Sequence, residues 1–194
     1  MNSEGTARAV ISKWLAAVGV SASILLAVAT PTLAGDQGIP DTGNRTVAES
    51  VERQADWQRQ DHVIKKGLVV ADAAHDAGVK NKDLETAVAV AYGESHYDPR
   101  AENQNHKSGG TDDSYGLWQI NMLGALGPDR LAKYGLDSNS DLFDPKVSAE
   151  IMYDMSHGGT NFKPWGAYTD DGWEKDVKDS MAEQVVGVYL YHNS

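Results

Sequence analysis

Val88-Ala89-Val90-Ala91-Tyr92-Gly93-Glu94-Ser95-His96-Tyr97-Asp98-Pro99 is the stretch that decides the reading of this chain. Upstream, Leu84, Ala87, Val88 and Ala91 recur at i, i+3, i+4 and i+7, the spacing of one buried helix face. Asn81 starts that helix well and Gly93 is expected to end it. Asp98-Pro99 forbids immediate helical continuation. A carboxyl therefore follows directly on the negative end of an apolar helix, with aromatic residues beside it in sequence. Both features disfavour the charged form and push a carboxyl pKa upward. A carboxyl that keeps its proton near neutral pH is what a general acid needs. For Glu94 alone the plainer alternative is a solvated carboxylate at a helix end.

Working outward, Arg100 to Ser114 is polar, with Gly109-Gly110 and Asp112-Asp113. It reads either as a solvated surface loop or as one wall of a sugar-binding groove with a short hairpin. Asp113-Ser114-Tyr115-Gly116-Leu117-Trp118-Gln119-Ile120-Asn121 follows. Aromatics stack on sugar faces, amides bond hydroxyl and N-acetyl groups, and Gly116 lets backbone approach a ligand. The structural alternative is an aromatic turn that packs a core.

Three short motifs occur in order: Glu94-Ser95, then Gly116-Leu117-Trp118-Gln119-Ile120-Asn121, then Ala167-Tyr168. They resemble the Glu-Ser, Gly-Leu-x-Gln-Ile and Ala-Tyr-Asn motifs of the lytic transglycosylase and goose-type lysozyme group. The wording of the second and the run Pro164-Trp165-Gly166-Ala167-Tyr168 is similar to phage-type wall-degrading members. The resemblance spans Leu84 to Trp173. It implies a lysozyme-like architecture of helices around a cleft, and peptidoglycan glycan strands as substrate. It also implies Glu94 as catalytic acid, Ser95, Tyr115, Gln119, Asn121 and Tyr168 as substrate-binding residues, and no cofactor. In the transglycosylase outcome one carboxyl suffices and the product is a 1,6-anhydro ring. An inverting hydrolase needs a second carboxylate roughly 6.5–9.5 Å away. Asp113 or Asp112 is the candidate, with Asp170 or Asp171 behind them. The run Ala167-Tyr168-Thr169-Asp170-Asp171 departs from the family's Ala-Tyr-Asn-Ala-Gly and keeps this second outcome open. A third reading is a non-catalytic wall-binding component of a phage particle or secretion apparatus. The retained Glu94 speaks against it.

Composition bounds the rest. At 194 residues, with 41% hydrophobic residues, one soluble domain is the default. No cysteine is present, which removes disulfides, thiol catalysis and thiolate-bound metal. A net charge of −11 argues against nucleic acid as partner and against tight adhesion to anionic walls. The six histidines show no metal-ligand spacing, and no metal site is expected. Asp137 to Asp141 imitates the start of a calcium loop, but Leu142 replaces the required Gly and Ser148 the bidentate Glu. A turn is expected there.

Residues 1–34 read as a targeting segment: Arg8 and Lys13, then an uncharged run from Trp14 to Ala34. Cleavage after Ala34 gives an exported protein, while an uncleaved run gives membrane attachment. Residues 35–60 are a linker and a polar helical segment that Trp57 docks. Residues 61–194 form the catalytic domain. The fold class is mainly α, with at most a small hairpin between Glu94 and Gly116. Further helices are expected over Asp61–Ala77, Pro128–Tyr134 and from Asp144-Pro145, where Asp caps and Pro opens. A last one runs unbroken from Trp173 through Met181 to the C-terminus.

Overall fold

The computed structural model describes residues 43–105 and 112–194. The targeting segment read at 1–34 lies outside the described residues. Helix α1 (Gly43–Ala77) is followed by α2 (Asn81–Ser95), strands β1 (Glu102–Asn103), β2 (Ser114–Tyr115) and β3 (Ile120–Asn121), and α3 (Leu126–Tyr134). A 3-10 turn (Asn139–Phe143), α4 (Pro145–Met155), α5 (Gly166–Thr169), α6 (Trp173–Ser180) and α7 (Ala182–Asn193) complete the chain. The mainly helical class expected from the sequence is what the structure has.

The middle of the domain is α2. Every residue from Ala87 to Ala91 is buried, not only the stripe that the spacing marks. A helix apolar all round is one enclosed by neighbours, and α1, α5, α6 and α7 all pack on it. Its small side chains allow that enclosure. Gly93 does not end α2, which runs on to Ser95 and closes on His96 in the left-handed conformation. Tyr97 is left-handed too, at φ 61°, and its buried ring donates an O–H bond of 2.9 Å to the Ser180 carbonyl. That bond ties the end of α2 to the end of α6.

The sheet is antiparallel in the order β1-β2-β3, with Glu102 opposite Tyr115 and Tyr115 opposite Ile120. It thus has a third strand beyond the single hairpin expected. Gly116 sits at φ +78°, and a Cβ there would lie 2.2 Å from the Leu142 carbonyl oxygen. Only glycine fits both demands. Trp118 is fully buried: its indole N–H donates to the Ala87 carbonyl at 3.0 Å. Its own carbonyl accepts from the Trp165 indole at 2.7 Å. The aromatic turn therefore braces α2 and α5 from inside, and Trp118 offers no face to a sugar.

Other boundaries differ from the sequence reading. The polar stretch to residue 60 and the apolar stretch from 61 are one continuous helix. Trp57 is 70% exposed and is not part of the core formed by the described residues. The C-terminal helix is broken at Met181, left-handed at φ 53°, giving α6 and α7. Asp144 caps α4 by accepting from the Lys146 N–H at 2.8 Å, with Pro145 in the first turn. The Asp137–Asp141 segment is a turn: the Asp141 carboxylate accepts from the Asp137 and Ser138 amides.

Candidate active site

Glu94 lies in the last turn of α2, half-buried. Its Oε1 accepts a 3.0 Å hydrogen bond from the backbone N–H of Ala167, at the start of α5. Gly93 makes that approach possible. A Cβ at Gly93 would come within 2.7 Å of the Ala167 Cβ and 2.6 Å of Asp176 Oδ2 on α6. With no side chain there, α5 and α6 close onto the last turn of α2.

Burial holds the Glu94 carboxyl above its ordinary pKa. The Ala167 N–H pulls the other way, and the negative charges of Asp112, Asp170 and Asp176 add to the upward push. The result is an acid that keeps its proton to higher pH than a free carboxyl does. Its position can deliver that proton to a group bound at the end of α2.

Of the candidate second carboxylates, Asp112 and Asp170 both add to the upward push on Glu94. The Asp112 carboxylate accepts from Asn103 Nδ2 at 2.7 Å and from the Ser114 hydroxyl. Asp113 Oδ1 accepts the Tyr115 hydroxyl at 2.9 Å. Tyr115 is itself buried, with its ring against Phe143. Ser95 is buried and returns its hydroxyl to the Ala91 carbonyl at 2.9 Å. Gln119, at φ 43°, donates through Nε2 to the carbonyls of Ala101 and Gly116, both at 3.1 Å. Asn121 Oδ1 accepts from the Leu123 N–H at 2.8 Å. The bonds of Asp113, Gln119 and Asn121 hold the β2–β3 turn in shape, while that of Ser95 stays within α2. Tyr168 directly follows Ala167, the residue whose N–H bonds Glu94. Its ring packs edge-on against Trp173 at 4.8 Å and lines a groove between α2, α6 and α7.

Sequence reasoning missed the Ala167 amide, the Gly93 seat and Asp176. A backbone donor carries no residue-type signal. The only visible trace was the Gly directly before the acid. Among the described residues no three His, Asp or Glu side chains converge to hold a metal ion.

A buried central helix, a small antiparallel sheet and a protonatable carboxyl in that helix's last turn define a class: mainly helical domains with a raised-pKa acid at the end of their central helix. The lysozyme-like domain family model matches residues 71–167, half of the chain, and the chain belongs to that family. Nothing matches among curated proteins or among solved structures. Membership implies glycosidase-type action on peptidoglycan, outside the cytoplasm. Among the described residues no helix is long and apolar enough to cross a membrane.

Proposed function

We propose that the protein is a lytic transglycosylase that cleaves the β-1,4 bond between N-acetylmuramic acid and N-acetylglucosamine, with Glu94 as its acid and base. The observation that carries this is the half-buried Glu94 carboxyl, raised in pKa and oriented by the Ala167 N–H. Glu94 gives its proton to the bridging oxygen as the bond to the muramic anomeric carbon breaks. The substrate's own N-acetyl carbonyl stabilises the positive charge on that carbon. Glu94, now a carboxylate, takes the proton of the muramic 6-hydroxyl. That oxygen closes on the anomeric carbon, and the acid is regenerated. In this reading Gln119 keeps its amide oxygen, and Asn121 its amide nitrogen, for the acetamido groups of the sugars. Ser95 and Tyr115 support the walls. Holding the 6-hydroxyl in line with the anomeric carbon supplies several kcal/mol of the barrier reduction, on the order of other intramolecular closures.

An inverting hydrolase is the second reading. What favours it is that the Asp112 charge acts on Glu94. Digestion of purified peptidoglycan, followed by mass spectrometry of the unreduced fragments, separates the two. The transglycosylase leaves muramic ends lighter by one water, and that is the expected product. Free reducing ends as the main product, abolished by Asp112→Asn, would establish the hydrolase. Export through residues 1–34, and service in a phage particle or secretion apparatus, belong to the same proposal. They account for how an acidic enzyme is brought to the wall.

A further inference from the structure

A groove of about 510 Å³ runs beside the first half of α2, away from Glu94. Its floor is apolar: Ala89, Ala182, Val177, and the Tyr168–Trp173 pair set at 68° to each other. Val177 is 40% exposed there, an apolar side chain left uncovered. Lys82 and Glu85 stand on the α2 bank, Lys178 and Glu183 on the opposite one. Each bank thus offers one ammonium and one carboxylate. Elsewhere, lysines pair with aspartates, as in Lys65–Asp61, Lys133–Asp154 and Lys146–Asp76. The four rim charges have no ion pair or side-chain hydrogen bond among the described residues.

We infer that this groove binds the peptide branch of peptidoglycan, a short chain that carries free carboxylates and an ammonium together. The sugars of the glycan strand can hydrogen-bond the two rim glutamates but carry no cationic group to neutralise them and no anionic group for the two rim lysines. An acidic ligand would meet Glu85 and Glu183, and a basic one Lys82 and Lys178. A branch bearing both signs answers both banks, and its methyl groups suit the aromatic pair. Tyr168 connects the two regions. It follows directly on Ala167, whose amide holds Glu94, so a strand at the acid has its branches within reach of the groove. The inference rests on peptidoglycan being the substrate, but it requires nothing of the chemistry at Glu94.

The test is binding, which reads the groove independently of cleavage. A synthetic stem tetrapeptide, Ala–D-Glu–diaminopimelate–D-Ala, is titrated into the full chain while the indole N–H resonances are followed by NMR. Saturable binding that moves the Trp173 resonance is expected. It should persist in Glu94→Gln. It should weaken about tenfold or more, the effect of losing one well-formed charged contact, in the double variant Lys82→Glu, Lys178→Glu. Circular dichroism of that variant checks its fold, and because both lysines are exposed the fold should survive. Failure to saturate, or equal affinity in the charge-reversed variant, overturns the inference. So does displacement of the peptide by a chitin oligosaccharide, which would give the groove to the glycan. Failure of the protein to cleave peptidoglycan would count against the Glu94 mechanism and leave this titration to be read on its own terms.

Discussion

Glu94 is under two opposed influences: burial raises its pKa and the Ala167 N–H lowers it, with burial the larger. Glu94→Gln keeps the shape and removes the transferable proton. A loss of roughly 10²–10⁴-fold in turnover is expected, the usual weight of general acid–base catalysis. A Gln variant that cleared walls at the wild-type rate would end the mechanism. The same shift has a stability consequence. A folded pKa above the unfolded one means that the native state holds more protons between the two values, so wild-type stability falls as pH rises through that window. Gln cannot ionise. The melting temperature of Glu94→Gln should therefore gain on wild type from pH 4 to pH 8, and a constant difference would contradict the raised pKa. Asp112, Asp170 and Asp176 supply the remaining upward push. Asp176→Asn, nearly isosteric, should lower the Glu94 pKa and move the alkaline limb of the pH–rate profile to lower pH. A limb that stayed put, or moved upward, would show that Asp176 does not act on the acid.

At the scale of elements, the contact to test is the seat of α5 and α6 on the last turn of α2. An Ala in a helix interior normally gains about 1 kcal/mol over Gly. At Gly93 the added methyl would meet Asp176 Oδ2 and the Ala167 Cβ well inside contact distance. Overpacking of this kind costs about 1–3 kcal/mol, so the net sign is expected to be destabilising. Gly93→Ala should lower the melting temperature and, by moving the Ala167 amide off Glu94, the turnover number as well. Unchanged values for both would mean that α6 can step aside freely. This seat also marks the limit of what the sequence discloses. The stripe Leu84, Ala87, Val88, Ala91 announces α2, and Asp144-Pro145 announces α4, because side-chain period and cap chemistry are local. The break at Met181 and the burial of α2 on all sides are set by neighbours far along the chain. Of the site, Glu94 is legible from its motif and its helix. The internal bonds of Ser95, Gln119 and Tyr115 are not, since an amide or hydroxyl reads the same whether it faces a sugar or a carbonyl of its own chain.

Over the whole molecule, charge and exposure decide how the enzyme meets its substrate. The first half of α1 stands clear of the core, with Val47, Val51 and Trp57 60–70% exposed, whereas from Val63 onward the helix packs inward. Isolated helical turns are marginal in water, so amides over residues 47–60 should exchange with solvent far faster than those over residues 63–77. The net charge of −11 matters more for function. Cell walls rich in carboxylates repel a chain of that sign, and the repulsion acts on approach because it is long-ranged. Salt shortens its reach from about 30 Å at 0.01 M to about 8 Å at 0.15 M. The clearing rate on intact walls should therefore rise over that range of ionic strength, through KM and not through kcat. An uncharged soluble glycan oligomer should show no such rise, because nothing repels it. Basic wall enzymes should behave oppositely, losing an attraction that salt screens. A clearing rate that fell with salt on intact walls would mean that a local positive region guides binding, and Lys82 and Lys178 at the groove rim would be the first pair to reverse in charge.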